Sequence, residues 1–335
     1  MTLVSGHSLH DLGEFGLIER ITHRLGDAGA RDIVVPGGDD AAAWRVPPGT
    51  VAVATIDVLT EGTHWRRDTM TMADAGWRAV AANVSDLAAM GAEPAYLLVG
   101  LTAGPDVSVE DLDALTDGIA DSCRAHHVRV AGGDIVAGTS TAVSIAAYGH
   151  ASEAMLMRRS GAKAGDRIMV TGILGAAAAG LALIEQARTE ERAAEPLLRQ
   201  HRRPRARVAV GRAAAAAGVA CAIDISDGLV QDLGHIARAS GVGIEVVAAS
   251  LPVHAAAQEL LGREVALDMA LGGGEDFELV LCGRDQVLQA IGRMDVPITA
   301  IGRVVPEHPG EVIVLGEGGK PYEPRQRGWD QLRRH

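Results

Sequence analysis

The sequence predicts an α/β protein of two domains, and three observations carry that reading. Its 335 residues exceed one small module and suit two domains of ordinary size. Its composition, 47% hydrophobic and 22% charged, is that of a globular chain. Strand-like and helix-like patterns recur in two series, separated by the short polar stretch from Arg158 to Asp166. The expected domains are residues 1–150 and 151–335. With Trp 4, Tyr 3 and Phe 2, aromatics are scarce, so Ala, Val, Leu and Ile must fill the core.

In the first series, residues 51–58 read as a buried strand. Residues 72–90 read as a helix, because Trp77, Val80, Val84 and Leu87 follow at helical spacing and Gly91 supplies a stop. A strand over 95–102 follows the Glu93-Pro94 turn. A helix over 107–126 opens on Ser108 with Asp111 three residues later, the outline of a capping box. Residues 141–148 are a third strand. The second series predicts a strand over 167–170 and helices over 175–188, 205–217 and 229–240. Further strands are expected near Ile244 and over 277–281, 299–304 and 312–315. Residues 189–203, dense in charge, read as a surface connection.

Charge and cysteine usage narrow the class. Acidic residues outnumber basic ones, 43 to 31, giving a formal net charge of −12. Phosphate backbones demand a basic face, so a nucleic-acid partner is excluded. Cys123, Cys221 and Cys282 are far apart and form no CxxC pair, which argues against a disulfide framework and for a reducing compartment. The first eleven residues lack the basic start and apolar run of a signal peptide. Residues 172–184 are too short and too rich in Gly and Ala to span a bilayer. A cytoplasmic protein without a membrane partner is expected.

The informative acids sit beside glycines or within apolar segments. Gly37-Gly38-Asp39-Asp40 forms a tight turn before three alanines, and adjacent carboxylates repel unless a cation lies between them. Asp57 interrupts an otherwise apolar strand, where an unpaired charge is costly. Asn83 and Asp86 share one helical face. Gly132-Gly133-Asp134 follows a strand-like run and reads as a turn that admits a ligand closely. In the segment from Asp224 to Leu229, alternation sends Asp224 and Ser226 to one side, and Asp227-Gly228 turns into a helix. Gly272-Gly273-Gly274-Glu275-Asp276 is a glycine-rich turn delivering acids into the next strand. Oxygen ligands with few His or Cys nearby favour Mg²⁺ or another hard cation, and such cations suit a polyphosphate. The Walker A pattern is absent, which excludes a P-loop enzyme. Taken singly, His64 reads as a satisfied histidine, Arg159 as a linker charge and Trp329 as packing for the C-terminal segment.

These motifs, in this order, resemble those of the thiamine-monophosphate kinase family. Gly13-Glu14-Phe15-Gly16-Leu17-Ile18, Gly38-Asp39-Asp40-Ala41 and Asp57 with Glu61-Gly62-Thr63-His64 match its first segments. The runs from Asn83 to Ala92, Gly132 to Asp134, Arg159 to Asp166, Asp224 to Leu229 and Gly273 to Leu279 continue it, and Gly328-Trp329-Asp330 ends it. The resemblance implies the aminoimidazole-ribonucleotide synthetase-like fold. In that fold an N-terminal domain binds ATP and Mg²⁺ and forms a dimeric β-barrel, and a C-terminal α/β domain completes the active site. It implies ATP-dependent phosphorylation of thiamine monophosphate to thiamine diphosphate by a homodimer. Carried over by position, Asp40, Thr55, Ile56, Asp57, Asp86, Asp134, Asp224 and Asp227 would hold several Mg²⁺ ions. Gly133, Asp134, Arg159 and Ser226 would touch ATP, and His64, Glu275 and Trp329 would line the substrate pocket. The family usually has a hydroxyl residue where Ile56 stands, so this position has only its backbone carbonyl to offer. Other readings are another ATP-dependent enzyme of the same superfamily and a non-catalytic nucleotide- or cation-binding protein.

Overall fold

The computed structural model describes residues 9–26 and 32–329. Residues 1–8, 27–31 and 330–335, with Asp330, Arg333 and Arg334 among them, lie outside those ranges. The chain divides into two compact units, Met1–Val84 with Pro94–His150, and Ser85–Glu93 with Ala151–His335. The helix expected over 72–90 runs across the first division.

The first unit runs α1 (Leu9–Leu25), β1 (Ile33–Val35), β2 (Ala43–Trp44), β3 (Val51–Thr60), α2 (Met72–Ala89), β4 (Glu93–Ala103), α3 (Val109–His126), β5 (Arg129–Ala137) and β6 (Ala142–Ala151). The longer strands form one four-stranded sheet in the order β3-β6-β4-β5, with β4 and β5 parallel. Among the described residues the sheet ends at β3 and β5, so within one chain it does not close into a barrel. Its apolar filling comes from Leu97, Leu101, Val143 and Ile145 on the strands and Val80, Leu112, Leu115 and Ile119 on the helices, all buried. The capping box is present: Ser108 Oγ accepts the Asp111 N–H at 3.0 Å, and Asp111 Oδ2 accepts the Ser108 N–H at 3.1 Å. Helix α1 is tied to α3 by ion pairs of Arg24 with Asp113 and Asp117, each 2.8 Å.

Two expectations change in this unit. Strand β3 is not buried: it alternates between half-buried and exposed, and Ala52, Ala54, Ile56 and Val58 form its open face. Alternate side chains point to opposite faces, so the strand packs with one face and leaves the other to solvent. Gly132-Gly133-Asp134 is not a turn but the middle of β5, where pairing with Leu98, Val99 and Gly100 extends the backbone.

The second unit runs β7 (Arg167–Thr171), α4 (Ala176–Glu185), α5 (Glu195–Arg202), α6 (Val208–Ala217), β8 (Cys221–Asp224), α7 (Leu229–Ser240), β9 (Gly243–Val247), α8 (Ala255–Leu261), α9 (Arg263–Gly272), β10 (Leu279–Gly283), α10 (Asp285–Gln289), β11 (Ile298–Val305) and β12 (Val312–Leu315). Its sheet is six-stranded in the order β12-β9-β11-β7-β10-β8, antiparallel except where β12 meets β9. Ile168, Val170, Ile223, Val280 and Ile301 on the strands pack against Leu229, Leu233 and Ile236 of α7. The stretch read as a surface connection contains α5. Its Leu197 and Leu198 bury against Ala176, Ala179 and Leu183, a face that the surrounding arginines hide in the sequence. All three cysteines are buried and free.

Candidate functional site

In the first unit the acids occupy a turn and two strands. The glycine turn carrying Asp40 lies on the start of β5: a Cβ on Gly37 would sit 2.7 Å from the Ala131 carbonyl oxygen, so only glycine permits that approach. The first and fourth acidic motifs therefore adjoin one another, and both Asp40 and Asp134 are exposed. Asp57 is half-buried on β3, and its backbone N–H donates to Asn83 Oδ1 at 3.1 Å. Asn83 donates in turn to the Ala79 carbonyl at 2.9 Å, so it fastens α2 to β3. Asp57 and Asp134 stand on opposite edge strands of the sheet, so its hydrogen bonding does not make them neighbours. Thr55 is half-buried and Ile56 is 65% exposed, with its side chain on the open face. Gly133 is exposed beside Asp134. His64 is half-buried, and its Nδ1 accepts the Thr60 N–H at 3.0 Å, which leaves Nε2 as the protonated nitrogen of the neutral ring.

The second unit concentrates its acids at one turn. Asp224 ends β8, 3% exposed, and accepts the Ser85 hydroxyl at 2.7 Å, which places the helix end carrying the half-buried Asp86 beside β8. Past it, the backbone N–H groups of Ser226, Asp227 and Gly228 all donate to Asp232 Oδ2, at 3.1, 3.2 and 3.1 Å. The first turn of α7 thus folds back on its own entry. Burial, joined by the negative charges of Asp224 and Asp227, pushes the Asp232 carboxyl well above the usual range. One oxygen of Asp227, one of Asp232 and one ring nitrogen of His235 lie within 4.8 Å of one another. His235 is held below its ordinary pKa by burial and by Arg159 and Arg238, against the pull of Asp227. The backbone oxygen of the exposed Arg159 accepts the Ser240 hydroxyl at 2.8 Å.

Two further segments dock on this turn. Glu275 N–H donates to the Ser226 carbonyl at 2.8 Å, and a Cβ on Gly274 would lie 2.4 Å from that same oxygen. Trp329, 44% exposed, donates its backbone N–H to the Asp227 carbonyl at 2.9 Å. Gln231 Nε2 bridges to the Trp329 carbonyl at 2.7 Å and to Asp227 Oδ2 at 3.1 Å. Ser226, Asp227, Glu275 and Trp329, spread over a hundred residues, therefore share one locus.

The sequence missed Asp232 and His235, although the spacing of Asp227, Asp232 and His235 at the start of a predicted helix was the available signal. Asp276, in the glycine-rich turn that the sequence singled out, and Glu278 two residues later both face inward. Asp276 accepts N–H groups from Gly175 and Ala177. Glu278 accepts the Thr171 hydroxyl at 2.6 Å and pairs with Arg207. The donor set suits a hard divalent cation: carboxylates dominate it, three are close enough to repel, and glycine turns keep the approach open.

Comparison with known proteins matches residues 38–151 to the AIR synthase related protein, N-terminal domain, and residues 163–315 to its C-terminal domain. A thiamine-monophosphate kinase of Escherichia coli (strain K12) is 36% identical over 326 residues, covering 96% of this chain and 98% of that protein. The crystal structure of thiamine-monophosphate kinase from Stenotrophomonas maltophilia K279a superposes with a TM-score of 0.80 at 36% identity, covering 91% of this chain and 96% of the other. A ThiL enzyme complexed with AMPPCP and TMP superposes with a TM-score of 0.75 at 32% identity over 97% and 99%. Similarity of this degree along nearly the full length of both chains places the protein: it belongs to the thiamine-monophosphate kinase family.

Proposed function

We infer that this protein transfers the γ-phosphoryl group of ATP to thiamine monophosphate, giving ADP and thiamine diphosphate. The observation that carries the reading is the 36% identity with a thiamine-monophosphate kinase over 96% of the chain. The nucleophile is an oxygen of a phosphate monoester, whose second pKa is about 6, so it is largely ionised near neutral pH and needs no general base. The obstacle is charge. Two unit negative charges about 4 Å apart at an effective dielectric near 20 repel by about 4 kcal/mol.

Asp40, Asp57, Asp134, Asp86, Asp224 and Asp227 are the residues that would hold several Mg²⁺ ions, with Thr55 Oγ1 and the Ile56 carbonyl as further oxygens. When bound, such ions neutralise and align the phosphates of donor and acceptor. The protein's own contribution is placement. The Ser226–Gly228 turn, fixed by Asp232, presents Asp227 and the Ser226 hydroxyl in one orientation. Gly133 admits the nucleotide close to the backbone beside Asp134, and Arg159 offers it a guanidinium. His64, Glu275 and Trp329 contact thiamine monophosphate, the indole by stacking on its heterocycle. Residues 1–150 bind nucleotide and mediate dimerisation, and residues 151–335 complete the active site.

The dimer is a homodimer in which two open sheets meet to form a barrel. Its support is the edge strand β3, which exposes Ile56 and Val58, and the exposed Val136 on the opposite edge strand. No helix among the described residues is long and apolar enough to cross a membrane. With three free buried thiols, the protein suits the cytoplasm.

Release of ADP that depends on thiamine monophosphate and on Mg²⁺ tests the assignment. ADP release indifferent to thiamine monophosphate would overturn it. The transfer is direct, so protein incubated with γ-labelled ATP alone retains no label after denaturation; a labelled protein band would refute that step.

A further inference from the structure

The segment leading into β10 carries an unusual backbone. Glu275 and Phe277 both have left-handed φ, +66° and +50°, with the buried Asp276 between them. Among the described residues no other two non-glycine residues of positive φ lie so close in sequence. Such conformations are strained and persist only where their surroundings over-determine them.

Those surroundings act from two sides. On one, Glu275 N–H donates to the Ser226 carbonyl at 2.8 Å, Phe277 N–H donates to the Ile225 carbonyl at 2.9 Å, and Ile225 N–H returns to the Glu278 carbonyl at 2.8 Å. On the other, Asp276 Oδ2 accepts the Gly175 N–H at 2.7 Å and Oδ1 accepts the Ala177 N–H at 3.2 Å, at the start of α4. Gln200 of α5 donates its Nε2 to the Asp276 carbonyl at 3.0 Å. Capping α4 would by itself require only the carboxylate. It would not require left-handed neighbours on both sides, nor a second clamp on the Asp276 peptide.

We infer that Asp276 is a positioning residue for the substrate: by pinning the strap between α4 and the Ser226 turn, it fixes the direction in which Glu275 offers its carboxylate to thiamine monophosphate. This rests on the reading of Glu275 as a substrate contact. Asp276 touches neither substrate and acts through Glu275.

The test measures KM for thiamine monophosphate and for ATP, with kcat, on the full chain and on Glu275→Gln, Asp276→Asn and the double variant, with circular dichroism and Tm as checks on folding. Asp276→Asn is expected to raise KM for thiamine monophosphate about tenfold, leave KM for ATP within about twofold, and add nothing in the Glu275→Gln background. Equal effects of Asp276→Asn with and without Glu275 would overturn the inference, as would a lowered Tm with unchanged KM, the signature of a helix cap alone. A wild-type KM in Glu275→Gln would instead refute the substrate role of Glu275, and the positioning role with it. Should Asp276→Asn fail to fold, Gln200→Ala loosens the same peptide from outside the strap. It is expected to raise the same KM about threefold, and only when Glu275 is present; an unchanged KM in Gln200→Ala would overturn the inference.

Discussion

Asp224 and Asp276 show how little burial alone says about a carboxylate. Both are nearly inaccessible, yet one accepts a hydroxyl from Ser85 beside other acids and the other is walled in by backbone N–H groups. Burial raises the pKa of Asp276 from 3.8 to about 7, opposed by the N–H groups of Gly175 and Ala177 and reinforced by Glu278. In the native state it therefore keeps its proton to higher pH than in the unfolded chain. Between about pH 4 and 7 the native state binds the extra proton, so this group's contribution to stability falls as pH rises through that window. Relative to Asp276→Asn, wild-type Tm should decline across pH 4–7 and the difference should level off above it; a pH-independent difference would refute the shift. Asp57 belongs to the other class. Its anchoring bond to Asn83 is made by its backbone N–H and survives substitution. Asp57→Asn should lower kcat about a hundredfold, the scale of losing one charge-stabilising group, while Tm stays within a few degrees. Near-normal turnover at limiting Mg²⁺ would remove Asp57 from the ligand set.

At the scale of the element, the second unit is held at β10 by a buried ion pair. Glu278 is 2% exposed and Arg207, just before α6, is 18% exposed; the carboxylate also takes the Thr171 hydroxyl. Removing the cation leaves a charge with no room for water, so Arg207→Met should cost about 3–5 kcal/mol in urea unfolding. Arg207→Met with Glu278→Gln should recover part of that loss; an equally unstable double variant would show that Arg207 acts through packing instead. Such pairings were not legible in the sequence, because Arg207 and Glu278 are 71 residues apart and Arg207 reads as one more charge in an arginine-rich run. The elements that were legible have strong periodicity or a cap: α2 by its apolar stripe, α3 by Ser108 and Asp111, and β12 by its unbroken aliphatic run. Helix α5 was hidden because only Leu197 and Leu198 mark its apolar face. Strand β5 was cut short because Gly132 and Gly133 look like a turn until pairing with β4 extends them. The site divided similarly. Acids beside glycines announced themselves, whereas Asp232 and His235 lie inside an ordinary helical pattern and acquire meaning only when α7 folds back on the Ser226–Gly228 turn.

At the scale of the whole molecule, charge and apolar surface oppose one another. A formal net charge of −12 makes two copies repel, most strongly at low ionic strength, where screening is weakest. Strand β3 nevertheless turns Ala52, Ala54, Ile56 and Val58 outward with no strand beyond it among the described residues, an arrangement that soluble monomers usually blunt with charge or proline. Pairing with a second chain would cover these side chains and convert two open sheets into one closed surface. Val58 is 46% exposed, so a lysine there is tolerated within one chain but places two ammonium groups in the contact. In sedimentation velocity the wild-type protein should run as a dimer whose dissociation constant tightens as salt rises from 20 to about 150 mM, because screening relieves the repulsion while the apolar contact is unaffected. Val58→Lys should shift it to a monomer with an unchanged circular dichroism spectrum. A variant that dimerises as tightly as the wild type would move the interface away from this strand.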